Sequence, residues 1–244
     1  MIQWIRSLIF VITIYTMMAV MGLFLVIPAL FSRDIAVFSV RLYSRWVVAL
    51  ARPMLGIRAE VRGPVPTGAV MIASKHQSFL DILMLVATLE RPRFIMKNEL
   101  RYAPMLGIFA RQIGCVPVKR GQRGQAIKKM LADVEKGAAD PGQMIIYPQG
   151  TRVPPGEYRP YKVGTALMYR DLGQPVVPVA TNVGLFWPKA GILKKPGHAI
   201  VEFFDAIPAG ENHEEVLAKL EALIEPRSNE LMGMGSGVVP ETKP

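Results

Sequence analysis

The sequence predicts an α/β fold: a mostly parallel or mixed β-sheet flanked by helices, preceded by an N-terminal two-helix membrane-anchoring segment. Three observations predict it. Short apolar runs of strand character alternate with segments of helical period through residues 58–230. An uncharged, apolar stretch of about 24 residues, 8–31, stands near the start, enough to cross a ~30 Å hydrocarbon core as a helix. The mean hydropathy of the 244-residue chain is +0.28, high for a chain that lies wholly in water, while its remainder is long enough for one domain with a core. Residues 1–57 are therefore read as anchoring helices, 58–230 as the α/β domain and 231–244 as a loose tail rich in Gly and Pro.

In the anchoring segment, Arg6 precedes the apolar stretch and Arg33 follows it. A cleaved signal peptide would carry a shorter apolar region and a small-residue cleavage site. The second segment, 34–57, is amphipathic. Arg41, Arg45 and Arg52 share one helical face, and Val40, Tyr43, Trp46, Val47 and Leu50 fill much of the rest. Pro53 is expected to end or kink this helix. Its arginine face suits lipid phosphates at the bilayer surface; the alternative reading is the solvated side of a helix packed on the domain. The pair either spans the bilayer or folds back as a hairpin in one leaflet, with Pro28 and Arg33 at the bend.

Strands are expected at 69–73, 93–96, 115–118, 144–147, 176–180 and 199–204. Helices are expected at 79–89 and 163–172. Another is marked by Ile127, Met130, Leu131 and Val134, and a last by Val216, Leu217, Leu220, Leu223 and Ile224, stopping near Pro226. Ligands in such folds bind beyond the carboxyl ends of strands, which directs attention to the loops after Ala73, Met96, Val118, Tyr147 and Ala180.

The net charge is +10, from 29 Lys+Arg against 19 Asp+Glu, and it favours anionic partners. No basic face interleaved with aromatics and no nucleic-acid motif is present, so nucleic acid is not expected and an anionic bilayer is. The single cysteine, Cys115, excludes an intrachain disulfide, and without a Cys/His cluster a structural zinc is not expected.

The loop after the first domain strand carries His76 and Asp81, five residues apart. On one continuous helix that spacing places them on different faces. They meet only if His76 lies in the loop and Asp81 in the first helical turn. Ser78 supports this, because Ser78-x-x-Asp81 resembles a capping box with Asp in place of Glu. An imidazole held by a carboxylate can take a proton from an alcohol; the other reading is a capping aspartate beside an idle loop histidine. No Gly-x-Ser-x-Gly elbow is present, which favours direct attack by a substrate hydroxyl over a serine acyl-enzyme. In the loop Tyr147-Pro148-Gln149-Gly150-Thr151-Arg152, the glycine permits a tight turn and Arg152 offers a two-pronged donor for phosphate. A plain turn with a surface arginine reads the same way. His198 and His213 lack a neighbouring motif and are read as structural, and Cys115 is expected to pack in a strand.

Together these segments resemble the glycerophospholipid acyltransferase family, in particular 1-acylglycerol-3-phosphate acyltransferases. His76 and Asp81 match its H-x4-D motif, and residues 147–152 approach F-P-E-G-T-R. Val177-Pro178-Val179-Ala180 matches its V-P-V-A strand. Lys97, Glu99, Leu100, Pro104 and Gly107 match K-x-E-L-x-x-x-P-x-x-G, and residues 114–120 match a glycine-to-arginine segment. The matches run in order from about residue 70 to 180. The resemblance implies transfer of a fatty acyl group from an acyl thioester, on acyl carrier protein or coenzyme A, to the sn-2 hydroxyl of lysophosphatidic acid, giving phosphatidic acid. His76 would be the base and Asp81 its partner. Arg152, Arg120 and Lys97 would bind the acceptor phosphate, and Gly150 and Thr151 would shape that pocket. No cofactor or metal is implied, and the enzyme would sit on the inner (cytoplasmic) membrane, its domain facing the cytoplasm. Three departures stand out: Gln149 replaces the family's glutamate beside the phosphate loop, Tyr147 replaces phenylalanine, and Lys119 stands where an acidic residue often precedes the arginine. The same chemistry on glycerol 3-phosphate, a lysophospholipid or a lyso-aminolipid is the near alternative; a non-catalytic protein binding anionic lipids is the distant one.

Overall fold

A computed structural model describes residues 1–103, 106–118 and 142–234 of the chain. Helices α1 (Ile2–Phe31) and α2 (Arg33–Leu55) form an antiparallel hairpin. Ser32 breaks the helical path with extended backbone and caps α2 by accepting from Ile35 N at 3.3 Å. The far ends are tied by Arg6, which donates to the carbonyls of Pro53 (2.9 Å) and Met54 (2.7 Å), and by Gln3, which donates to Leu55 O at 3.2 Å. These donors satisfy carbonyls that a helix end leaves orphaned. Pro53 accordingly does not end the helix; α2 runs through it to Gly56, whose φ of +74° supplies the left-handed cap.

Seven strands follow: β1 (Ile57–Arg62), β2 (Met71–Ser74), β3 (Pro92–Lys97), β4 (Val116–Val118), β5 (Gln143–Ile146), β6 (Val176–Thr181) and β7 (Gly197–Phe203). Their order across the sheet is β1-β7-β6-β2-β5-β3-β4. The run from β6 to β4 is parallel; β7 is antiparallel to β6 and carries β1 parallel to itself. The sheet is thus mixed and mostly parallel. The fully buried strands β2, β5 and β6 are the ones that read as apolar runs, as two-sided cover requires. β1 escaped the sequence reading because it is an edge strand with one fully buried residue, Ile57, and charges along its length.

Helices α3 (Phe79–Thr88), α4 (Leu106–Gln112), α5 (Val163–Leu172) and α6 (His213–Leu231), and the short 3-10 helices Asn98–Tyr102 and Val183–Leu185, complete the described fold. On one face of the sheet, Phe10 and Ile14 of α1, Val47 and Leu55 of α2, and Leu80 and Met84 of α3 pack with Ile72 and Val177. On the other, Tyr169 of α5 and Leu220 and Ile224 of α6 pack with Met71, Ala73 and Ile146. The strand alternation of Met71, Ile72 and Ala73 divides them between the two layers. α6 does not stop near Pro226 but continues to Leu231. The added turn is held by tertiary bonds: Ser228 Oγ accepts from Thr181 N at 3.2 Å, Leu231 O accepts from Asn182 Nδ2 at 3.0 Å, and Arg227 forks onto Glu202 at 2.9 and 3.0 Å. The helix expected around Ile127 lies outside the described residues, as does most of the expected tail.

Among the described residues α1 is the one helix long and apolar enough to cross a bilayer. Its outer side leaves Ile5, Ile9, Ile12, Leu23, Phe24 and Ile27 exposed. It also lies against the domain along its length. Gln3 donates to Lys194 O (2.9 Å) near one end, and Leu30 O accepts from Gln112 of α4 (3.0 Å) near the other.

Candidate active site

The loops after β2, β5 and β6 leave the same edge of the sheet from three neighbouring parallel strands. Hydrogen bonds between them make one unit. Val153 N donates to His76 O at 2.8 Å, and Gly184 N donates to Gln77 Oε1 at 3.0 Å. A Cβ on Gly184 would lie 2.8 Å from Gln77 Cβ, so only glycine permits that approach without a shift.

His76 sits in the loop and Asp81 in the first turn of α3. The capping box between Ser78 and Asp81 is formed: Ser78 Oγ accepts from Leu80 N at 3.0 Å, and Asp81 Oδ2 accepts from Ser78 N at 2.7 Å. Oδ2 also accepts from Gln77 N at 2.8 Å. The cap leaves Oδ1 aimed at His76 Nδ1, 2.9 Å away. Asp81 is wholly buried and the His76 side chain 12% exposed. With Asp81 ionised, Nδ1 is the donor of this pair, and Nε2 is left with the lone pair. The two readings of Asp81 therefore do not compete. One carboxylate does both jobs, one oxygen for the helix and one for the imidazole.

Tyr147, at the end of β5, stacks on the imidazole with centroids 3.8 Å apart and planes inclined by 17°. Its hydroxyl donates to Asp81 Oδ1 at 3.3 Å. Burial, reinforced by the neighbouring Asp81 charge, holds the phenol well above its ordinary pKa, so it remains a neutral donor. The change from Phe to Tyr thus adds a fourth hydrogen bond to Asp81. The sequence showed the hydroxyl but not its direction.

Gly150 closes a turn with φ +69° and donates its N–H to Tyr147 O at 2.8 Å. A side chain there would be strained and would press on Lys162. Thr151 and Arg152 follow, both partly exposed. Arg152 lines a surface groove with Ile14 and Tyr15 of α1, Phe79, Trp187 and Lys189. Lys189, on the loop after β6, is joined to it by a 3.5 Å bond from the guanidinium to Lys189 O and a 3.4 Å bond from Lys189 Nζ to Arg152 O. Both cations line the groove, with Lys194 and apolar side chains that include Ile14, Phe79 and Trp187. Lys189 had no motif around it to mark it in the sequence.

Lys97 ends β3, two strands from β2 across β5, at the same edge of the sheet. Arg120 lies outside the described residues. Gln149 turns away from the groove. It is 2% exposed and donates from Nε2 to Glu225 Oε1 at 3.1 Å and to Arg159 O at 3.3 Å. His198 is an exposed strand residue paired with Glu60 at 2.5 Å, and His213 opens α6. Cys115 lies just before β4 rather than in it. Burial pushes its thiol up to about 11, which makes it a poor thiolate nucleophile.

Residues 57–182 match the family model "Acyltransferase". The chain is 31% identical over 235 residues to a 1-acyl-sn-glycerol-3-phosphate acyltransferase of Pseudomonas aeruginosa, covering 95% of this chain and 91% of that one. It is 30% identical over 169 residues to 1-acyl-sn-glycerol-3-phosphate acyltransferase beta of Homo sapiens, covering 67% of this chain and 60% of the human one. The crystal structure of the 1-acyl-sn-glycerophosphate (LPA) acyltransferase PlsC from Thermotoga maritima superposes with a TM-score of 0.76 over 94% of this chain and 97% of that chain. At 22% identity the last likeness speaks to the fold alone.

Proposed function

The chain belongs to the acyltransferase family, and we propose that it transfers a fatty acyl group from an acyl thioester to the sn-2 hydroxyl of lysophosphatidic acid, forming phosphatidic acid, with His76 as general base. The observation that carries this reading is the 2.9 Å contact between His76 and Asp81, made by a buried carboxylate whose other oxygen is pinned by two backbone N–H groups. The names of the relatives supply the acceptor.

In the reaction, His76 Nε2 takes the proton of the acceptor hydroxyl as its oxygen bonds to the thioester carbonyl carbon. Asp81 stabilises the imidazolium that forms. The tetrahedral intermediate collapses by breaking the carbon–sulfur bond, and the imidazolium returns the proton to the thiolate that leaves. Ester and thiol are the products, and the base is regenerated. In this reading Arg152, with Lys189 beside it, binds the acceptor phosphate, and the apolar side chains that line the same groove, Ile14, Phe79 and Trp187 among them, accept hydrocarbon. Carrier-protein and coenzyme A thioesters satisfy the same chemistry, and the net charge of +10 suits either anionic donor.

An apolar hairpin beside the groove supports a reading in which the enzyme works at a membrane surface. Because α1 lies against the domain near both ends, it cannot cross a bilayer without drawing the domain in, so it enters one leaflet lengthwise on its exposed apolar side. The basic charge of the chain suits a domain on the cytoplasmic side of that membrane.

The test is formation of phosphatidic acid from labelled acyl thioester and lysophosphatidic acid by purified wild type and His76→Ala. The expected result is turnover by wild type and a loss of ~10²-fold or more in the variant. Equal rates remove His76 from the mechanism. No turnover by wild type moves the acceptor to glycerol 3-phosphate or another lysolipid.

A further inference from the structure

Resting on that reading, we propose that Glu225 is a positioning residue for the reaction: with Lys75, Gln149 and Tyr161 it forms a buried, charge-balanced clamp that fixes the His76 loop and the Arg152 loop relative to each other. Lys75 immediately precedes His76, and its ammonium pairs with Glu225 Oε2. The side chains of Lys75 and Glu225 are 2% and 4% exposed. Glu225 Oε1 accepts from Gln149 Nε2 at 3.1 Å and from Tyr161 OH at 3.0 Å. Burial beside the Glu225 carboxylate holds the Tyr161 phenol well above its ordinary pKa, so it stays a donor. The four groups come from the loop after β2, the loop after β5, the segment before α5, and α6. Glu225 is the one group that binds all three others.

The charge count explains what stands at position 149. One ammonium and one carboxylate are buried together, and the remaining acceptor capacity of Glu225 is met by two neutral donors. A glutamate at 149 would place a second carboxylate against Oε1 and leave two anions for one buried cation. Glutamine supplies the N–H that the arrangement needs. The carboxylate that the motif would place in the loop after β5 is thus delivered to Lys75 by α6, from just before Pro226. Position 149, being 2% exposed, meets the clamp and not the substrate. The exchange also accounts for α6 running on past Pro226: the bonds of Arg227, Ser228 and Leu231 hold Glu225 in place from the far side.

Glu225→Gln, Gln149→Glu, Lys75→Met and the double variant Gln149→Glu/Glu225→Gln test this in detergent-purified protein at 25 °C, with kcat and KM for lysophosphatidic acid read separately and thermal melts recorded alongside. Each single variant is expected to lower kcat about tenfold or more while KM stays within about twofold, because the phosphate ligands are untouched. The double variant restores one buried carboxylate and one amide that meet each other within the clamp, so the charge count beside Lys75 is again one to one, and it is expected to recover kcat to within about threefold of wild type. Singles that turn over like wild type overturn the proposal. So does a folded double variant whose loss is the product of the single losses, and so does a double variant that folds no better than an unfolded Glu225→Gln. Loss of activity by His76→Ala, measured alongside, keeps failure of the clamp distinct from failure of the base assignment.

Discussion

Replacing Asp81 with asparagine keeps the side chain's shape and removes one acceptor oxygen, so the effect can be worked out from the four hydrogen bonds the carboxylate accepts. Oδ2 takes the N–H groups of Gln77 (2.8 Å) and Ser78 (2.7 Å); Oδ1 takes His76 Nδ1 (2.9 Å) and Tyr147 OH (3.3 Å). If the oxygen of the new amide faced His76, its NH2 would confront two backbone donors and leave both buried and unsatisfied, at about 1–3 kcal/mol each. The opposite orientation keeps both backbone bonds and is therefore favoured by several kcal/mol. It presents an N–H to His76 Nδ1, which must then accept, and the ring proton moves to Nε2. The nitrogen that should receive the substrate proton is then occupied. The expected outcome for Asp81→Asn is a fall in kcat of about 10³–10⁴-fold, the scale of a wrong tautomer. Stability falls only by the difference between a charged and a neutral acceptor, about 1 kcal/mol, or a melting temperature lower by about 2–4 °C. Phosphatidic acid formation at saturating substrates and a calorimetric melt read the two quantities. Activity within tenfold of wild type, in a folded protein, would refute the tautomer argument; loss of activity through unfolding would show that the cap dominates the catalytic oxygen.

Two further substitutions separate roles within the site. Tyr147→Phe removes the donor that shares Oδ1 with the imidazole and leaves the other three bonds to Asp81 in place, so kcat is expected to stay within about threefold of wild type; a fall of about a hundredfold or more in a folded protein would show that the hydroxyl is needed to hold Asp81 against His76. Arg152→Ala removes a cation from the groove and is expected to raise KM for lysophosphatidic acid about 10–100-fold with little change in kcat, as for loss of a charged hydrogen bond; a collapse of kcat at constant KM would take Arg152 off the phosphate.

What the sequence made legible follows from what each feature needs. β2, β5 and β6 are buried on both faces and so announce themselves as apolar runs; β1 shares its one buried position with five half-exposed or exposed ones and does not. The His76–Asp81 pair was readable because its parts are local: Ser78 fixes the start of α3, and the spacing does the rest. Glu225 was not, because its partners lie 150, 76 and 64 residues away and nothing in the helix around it differs from a solvated charge. The same distance explains why α6 does not stop near Pro226 and why α2 runs two residues beyond Pro53. A proline marks a helix end on local grounds, whereas α2 and α6 are carried past Pro53 and Pro226 by Arg6, Asn182 and Glu202, which no window around the proline contains.

The N-terminal hairpin and the candidate site share a wall. Trp187 packs edge-on against Phe10 of α1 (centroids 5.4 Å, 77°) and against Phe79 of α3 (6.1 Å, 70°), and Phe79 lies two residues before Asp81. The depth of the groove relative to the apolar side of α1 is therefore set by aromatic packing rather than by a linker. Phe10 is wholly buried but makes none of the hydrogen bonds that hold the His76 loop, so Phe10→Ala is expected to loosen α1 from the domain while those bonds remain. A buried Phe→Ala change costs about 3–5 kcal/mol, part of which the hairpin absorbs by local loosening. If depth matters, activity on lysophosphatidic acid held in vesicles falls about tenfold or more, while activity on a short-chain, water-soluble acceptor stays within about threefold. An equal loss on both would mean that Phe10 serves the stability of the fold and that the hairpin does not set the position of the site at the bilayer.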